Sequence, residues 1–192
     1  MSSPRIISGT AKGLRLKSVP GDSTRPITDR VKEALFNILG VDVVGSNFLD
    51  LFGGTGSVGI EAISRGAAKT VFIEKNRQAC QILQDNLSFC KLNPNGKVIF
   101  GDAFSYLQNK VSMRFEYIFI APPQYKGWWE KAMKLVDENI ALLADDGWVI
   151  VQIHPVEEKL LELHTLEMFD RRSYGSTLLL FYQRKSRNLA NG

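Results

Sequence analysis

The sequence predicts an α/β fold, a mostly parallel sheet with helices on both faces. Three observations carry this. Strand-like and helix-like stretches alternate along most of the chain. Several of the strands are apolar along their whole length, as strands covered on both faces are. A glycine-rich turn joins an apolar strand to a helix start in Asn47-Phe-Leu-Asp-Leu-Phe-Gly-Gly-Thr-Gly-Ser-Val-Gly-Ile-Glu61. With 192 residues the chain suffices for one substantial domain and a small appendage.

From the N-terminus, Arg5 to Lys17 reads as two short alternating strands around a turn containing Gly9 and Gly13, a hairpin with Arg5, Arg15 and Lys17 exposed. Pro20, Gly21 and Asp22 break the chain, and Pro26 keeps Arg25 extended. Thr28 suits a helix N-cap, with Val31, Ala34, Leu35, Ile38 and Leu39 at helical spacing and Gly40 as the stop. A first strand over Phe48–Phe52 leads through the glycines to a helix over Ser57–Arg65. Lys69–Glu74 is a second strand, and Asn76–Cys90 an amphipathic helix. Lys97–Phe100 and Phe115–Ile120 follow as strands, Gly127–Leu143 as a helix and Trp148–Ile153 as a fifth strand. Val156–Leu163 is expected to be helical, before strands around Glu167–Arg172 and Leu178–Tyr182.

Composition narrows the class. Apolar content of 44% with 23% charged residues is that of a soluble globular protein. No apolar run approaches the ~20 residues that span a bilayer, and the N-terminus has no signal-peptide core. The expected location is the cytoplasm, or an organellar stroma after removal of a transit peptide. Cys80 and Cys90, ten apart on one helix, cannot pair with each other and read as small buried apolar groups. His154 and His164 lack partners at metal-ligand spacing, so no metal is expected. The net charge of +4 sits at the front. Residues 1–32 hold seven basic side chains and two acids, the remainder 17 basic and 18 acidic. That asymmetry fits a nucleic-acid partner, and also a merely solvated basic surface.

The glycine turn offers unpaired helix N–H groups and a backbone open to close approach. Gly54-x-Gly56-x-x-Gly59 matches the dinucleotide fingerprint. A pyrophosphate would sit badly beside the Asp50 carboxylate, whereas the amine of S-adenosylmethionine would sit well, which favours that cofactor over a nicotinamide one; tight strand–helix packing alone is a further alternative. Asp50, Glu74, Asp102 and Ala121 all fall at or just after strand ends, which in a parallel sheet converge on one crevice. Glu74 has two acceptor oxygens for a ribose diol. Asp102 suits an adenine amine or a helix N-cap, with Phe104 beside the base. In Ala121-Pro-Pro-Gln-Tyr125 two prolines remove successive donors and leave outward carbonyls that could accept from an exocyclic amine. Tyr125, Trp128 or Trp129 could stack on the base, or the tryptophans could be core.

Three blocks now stand in order: Thr24-Arg-Pro-Ile-Thr-Asp-Arg-Val-Lys-Glu-Ala-Leu-Phe-Asn37, the glycine turn over Phe48–Ala62, and Phe72-Ile-Glu-Lys75 followed by Gly101-Asp102. This order resembles the RsmD family of bacterial 16S rRNA guanine-N2 methyltransferases over nearly the whole chain, including Tyr174-Gly-Ser-Thr177. The resemblance implies a Rossmann-like class I methyltransferase fold of seven strands, the last antiparallel. It implies S-adenosylmethionine as cofactor and 16S rRNA in a 30S particle or assembly intermediate as partner, with the enzyme a monomer. By the resemblance, Asp50 and Gly53, Gly54 and Gly56 hold the methionine part, Glu74 the ribose and Asp102 the adenine side. Arg25, Thr28, Phe52, Lys75 and Ala103 complete the cofactor set. Arg5, Lys12, Arg15, Lys17, Arg30 and Lys126 are the RNA-facing cations, and Ala121, Pro122, Pro123, Gln124 and Tyr125 the catalytic stretch. The family's tetrad begins with Asp or Asn and has Phe or Tyr directly after the prolines. Here Ala121 begins it, and Gln124 separates Pro123 from Tyr125. An assembly factor with weak or lost transfer, or a methyltransferase for another substrate, is the alternative. The implied organisation is a basic hairpin extension over 1–22, a methyltransferase domain over 23–186 and a tail over 187–192.

Overall fold

The computed structural model describes residues 3–19, 27–109 and 113–186. Helix α1 (Asp29–Leu39) begins where the Thr28 hydroxyl accepts the Val31 N–H at 3.3 Å, and ends at Gly40, whose φ of +58° suits glycine. Its apolar side, Val31, Leu35, Phe36 and Leu39, is buried. Strand and helix then alternate: β1 (Asn47–Asp50), α2 (Ser57–Ser64), β2 (Lys69–Glu74), α3 (Arg77–Phe89), β3 (Gly96–Phe100), α4 (Ala103–Gln108), β4 (Phe115–Ile120), α5 (Trp128–Glu138) and β5 (Leu143–Ile153). A closing hairpin is made of β6 (Leu166–Tyr174) and β7 (Thr177–Arg184).

The strands form one seven-stranded sheet in the order β3-β2-β1-β4-β5-β7-β6, with β7 antiparallel to both neighbours. The predicted sheet, including its antiparallel last strand, is thus observed. The chain winds from β1 outward to β3 and restarts at β4 on the other side of β1. Strand order reverses between β1 and β4, and a crevice opens at their carboxyl ends.

Each face of the sheet has its own core. Leu49, Val71, Ile118 and Val149 pack with Trp129, Met133 and Val136 of α5. On the other face Phe48, Phe119 and Ile150 pack with Leu35 and Phe36 of α1 and with Val58 and Ala62 of α2. A third cluster joins α2 and α3 to the N-terminal segment through Ile6, Leu16, Ile60 and Leu83. Trp129, a candidate stacking face by sequence, is fully buried in the first core. Cys80 and Cys90 are buried free thiols.

Three sequence expectations are corrected. The N-terminal segment forms one isolated antiparallel bridge, Arg5–Arg15, in place of two strands. Its donors go to α2 instead of across a ladder: the Ile7 and Ser8 N–H groups donate to Glu61 at 2.7 and 3.0 Å, and the Ala11 N–H donates to the Ser64 hydroxyl at 2.9 Å. The helix expected over Val156–Leu163 is a single 3-10 turn, Pro155–Glu157, and Leu160 is 94% exposed. The Asp137 carboxylate captures the N–H groups of His164, Thr165 and Leu166 at 2.6–3.0 Å and starts β6 there. Helix α5 stops at Glu138, earlier than expected, where the Asn139 amide donates to the Leu107 carbonyl at 2.9 Å. The tail over 187–192 lies outside the described residues.

Helix α2 lies so close to β2 that a Cβ on Gly59 would fall 2.2 Å from the Phe72 ring. Gly59→Ala is expected to destabilise the protein by about 1–3 kcal/mol, since neither the helix nor the buried ring can yield without repacking. Denaturant melts of the variant and the parent measure this; equal midpoints would refute the tight-packing account.

Candidate active site

Two adjoining cavities occupy the crevice where the strand order reverses. The larger, about 370 Å³, is lined by residues from the ends of β1, β2, β3 and β4, among them Phe52, Glu74, Lys75, Asp102, Ala103 and Pro123. The smaller, about 90 Å³, is lined by Asp50, Gly53, Ser57, Pro122, Gln124 and Gln152 with their neighbours. Phe52, Gly54 and Ala121 border both. The single crevice expected from sequence is therefore divided, with Asp50 on one side and Glu74 and Asp102 on the other.

Each acid has a defined local partner. Glu74 ends β2, and its two oxygens accept the Gly54 N–H at 2.9 Å and the Asn76 N–H at 2.7 Å, which ties the glycine turn to the start of α3. Each oxygen keeps a lone pair for a further donor. Asp102 caps α4, accepting the Ser105 N–H at 2.9 Å. Asp50 is buried at the end of β1 and accepts the Gly59 N–H at 3.2 Å. Burial, offset by that N–H and reinforced by the Glu74 charge, pushes its carboxyl up to about 7.

The glycine turn is divided between cavity lining and packing. Gly53 and Gly54 line cavities, whereas Gly56, at φ +78°, begins α2 and packs against Ile60 and Leu83 without reaching either cavity. An aromatic trio walls the larger cavity: Trp128 lies 6.4 Å from Phe52 and 5.9 Å from Phe104 between ring centroids. The Lys75 ammonium sits 3.9 Å and the Lys126 ammonium 4.8 Å from the Trp128 centroid. Trp128 and Lys126 therefore belong to the larger cavity, away from the acceptor-side position that sequence suggested for the indole.

Other expected site residues lie elsewhere. Thr28 spends its hydroxyl on the α1 cap and lines neither cavity; its neighbour Ile27 lines the smaller one. Arg25 lies outside the described residues. Tyr125 is exposed at φ +62°, its N–H held by Glu157 at 2.8 Å and its ring beside His154. It lines neither cavity, because the extra Gln124 carries it past the crevice.

Among the predicted RNA-facing cations, Arg5 pairs with Asp29 at 3.1 Å and Lys17 with Asp85 at 2.8 Å. Lys12, Arg15 and Arg30 are exposed and form no ion pair with the described residues. Lys32, part of the basic front end by sequence, is fully buried; its ammonium donates to the Arg5 carbonyl and the Ser57 hydroxyl and lies 3.6 Å from Glu61. Burial pushes that ammonium below its ordinary pKa against the opposing charges of Glu61 and Asp29. Sequence reasoning missed Gln152, Asn76 and Val19 as lining residues. For Gln152 a signal existed: it is the one polar residue within the apolar run Trp148–Ile153. Among the described residues no cluster of His, Cys, Asp or Glu could hold a metal ion, and no helix is long and apolar enough to cross a membrane.

Comparison with known proteins agrees with this geometry. The family described as conserved hypothetical protein 95 matches residues 4–183. The Bacillus subtilis protein YlbH, a candidate rRNA methyltransferase, is 38% identical over 94% of this chain and 99% of its own length. Ribosomal RNA small subunit methyltransferase D of Escherichia coli K12 is 39% identical over 76% of this chain and 69% of its own. A solved Escherichia coli structure described as a candidate methyltransferase, yhhF, superimposes with a TM-score of 0.84 at 33% identity, covering 95% of this chain and 98% of that one.

The raised pKa of Asp50 has a definite sign for stability. Below the ordinary carboxylate pKa of 3.8 both folded and unfolded chains carry the proton, and no difference arises. As pH rises toward about 7 the unfolded chain ionises first, so the folded state loses stability, by up to about 4 kcal/mol in all. Asp50→Asn keeps an acceptor for Gly59 and removes the titration. It is expected to stabilise the ligand-free protein strongly at pH 8 and less than half as much at pH 5, measured by denaturant melts. A gain independent of pH would show that Asp50 is not held neutral by burial.

Proposed function

Because the chain belongs to the conserved hypothetical protein 95 family, the RsmD family, we propose that it transfers a methyl group from S-adenosylmethionine to the exocyclic N2 of a guanine in small-subunit rRNA. The observation that carries this reading is the pair of cavities meeting at Phe52, Gly54 and Ala121. One has the size and lining for a nucleoside cofactor, and the other is a small polar-rimmed recess at the end of the same sheet.

The residues present fit the cofactor. A cavity of about 370 Å³ falls in the range that holds drug-sized ligands. The free lone pairs of Glu74 suit the ribose diol, Asp102 and the N–H groups behind it suit the adenine edge, and Phe52 and Phe104 supply apolar walls. Asp50 lies across the glycine turn, where a ligand ammonium would return its carboxylate to the charged form. When bound, the cofactor supplies an electrophilic methyl. The chain then has to hold the acceptor nitrogen in line and exclude water, and Pro122 and Gln124 wall the recess where the base would enter. The proposed substrate is rRNA within a 30S particle or assembly intermediate, met by a monomeric cytoplasmic protein.

Incubation with labelled S-adenosylmethionine and unmethylated 30S particles, followed by nucleoside analysis, is expected to yield N2-methylguanosine. Cofactor binding in the calorimeter with no label in rRNA would instead favour an assembly factor that has lost transfer. For RNA contact, the main role falls to the exposed cations that form no ion pair with the described residues. Joint replacement of Lys12, Arg15 and Arg30 by Ala is expected to weaken rRNA binding and to flatten its salt slope by up to ~0.7 per lost phosphate contact. Replacement of Arg5 and Lys17, already held by Asp29 and Asp85, should flatten it less. Filter binding over a salt series reads both, and a slope unchanged in the triple variant would remove the N-terminal segment from the RNA interface.

A further inference from the structure

Gln152 stands near the carboxyl end of β5 and lines the smaller cavity with Asp50, Ala121, Pro122 and Gln124. Its side-chain Oε1 is buried and has no hydrogen-bond partner among the described residues. A buried amide oxygen without a partner opposes folding, and natural cores contain few of them. Gln152 lines the smaller recess, which meets the larger cavity at Phe52, Gly54 and Ala121.

The sheet register explains its position. Strands β4 and β5 run parallel with Ile120 opposite Val151, so one step further Ala121 and Gln152 follow side by side. Both belong to the face of Phe119 and Ile150, which pack together in the core beside α1 and α2. Ala121 contributes only a methyl group there, which leaves the space beside it to the longer Gln152 side chain. Two other buried acceptors of the recess are already engaged, Asp50 by the Gly59 N–H and the Ser57 hydroxyl by the Lys32 ammonium.

We propose that the Gln152 carbonyl accepts a hydrogen bond from the amino edge of the acceptor guanine and aligns its exocyclic nitrogen with the transferable methyl. Gln152 is then a substrate-positioning and specificity-determining residue: a base without an amino group at that edge leaves Oε1 unpaired. The inference rests on the rRNA methyltransferase reading and deepens it.

The test uses the full chain with S-adenosylmethionine and unmethylated 30S particles. Gln152→Met keeps length and removes the acceptor; Gln152→Glu keeps an acceptor oxygen at the same reach. Gln152→Met is expected to lower kcat/KM for the particle about 5- to 100-fold, the effect of one lost hydrogen bond to a buried group. Its melting temperature should be no lower than the parent's, because Oε1 has no partner among the described residues to lose, and its calorimetric affinity for the cofactor should be unchanged. Gln152→Glu should recover most of the activity. Parental turnover in Gln152→Met, or a loss that follows lowered melting temperature or cofactor affinity, would overturn the role of Gln152 alone. A parent protein that puts no methyl on guanine would overturn the underlying reading and this role together.

Discussion

A carboxylate under a helix start organises this molecule. Asp50 ends β1, is buried, and accepts the N–H of Gly59 in the first turn of α2. That contact requires the helix to lie close against the sheet, and the close approach requires Gly59 to lack a Cβ beside Phe72. The chain between them has only Leu51 to Gly56 in which to turn, so its backbone takes the positive φ values seen at Gly54 and Gly56. The glycine turn is thus shaped from below by packing, and its upper side is left for a ligand. The same burial holds the Asp50 carboxyl at a pKa of about 7, so the folded protein carries an acid whose ionised form awaits a cation.

The N-terminal segment is coupled to that turn through buried polar groups. Lys32 joins the Arg5 carbonyl to Ser57, the first residue of α2, and Glu61 holds the N–H groups of Ile7 and Ser8. From the other side Asn86 bonds both the Lys17 backbone and the Thr55 carbonyl within the turn. A buried lysine–glutamate pair stabilises little compared with an apolar pair, but loss of either member leaves a charge stranded. Its structural consequence here is positional: the segment bearing Lys12 and Arg15 is seated on the back of the glycine turn.

The division of the crevice gives two recesses of different lining. The larger cavity is walled by aromatic rings and by acids whose oxygens retain acceptor capacity. The smaller one gathers Asp50, Pro122, Gln124 and Gln152 from three separate stretches of chain. Lys75 and Lys126 set two cations over Trp128 in the wall of the larger cavity.

Much of this was legible in the chain itself. The period of the apolar residues and the caps at Thr28 and Asp102 determined the helices, because those signals act within a few residues. Apolar strands ending in Asp50, Glu74 and Ala121 determined that the chemistry lies at the carboxyl edge, since a parallel sheet brings those ends together. Only the tertiary structure decided what depends on partners far along the chain. Glu61 and Ser64 drew the N-terminal donors away from a hairpin, and Asp137 fixed residues 164–166 at the start of β6, just past the helix expected over Val156–Leu163. The burial of Lys32, the withdrawal of Tyr125 from the crevice and the placing of Gln152 beside Ala121 arose in the same way. Local sequence encodes backbone preference, but a side chain's neighbours are set by register and packing across the sheet, which no short window contains.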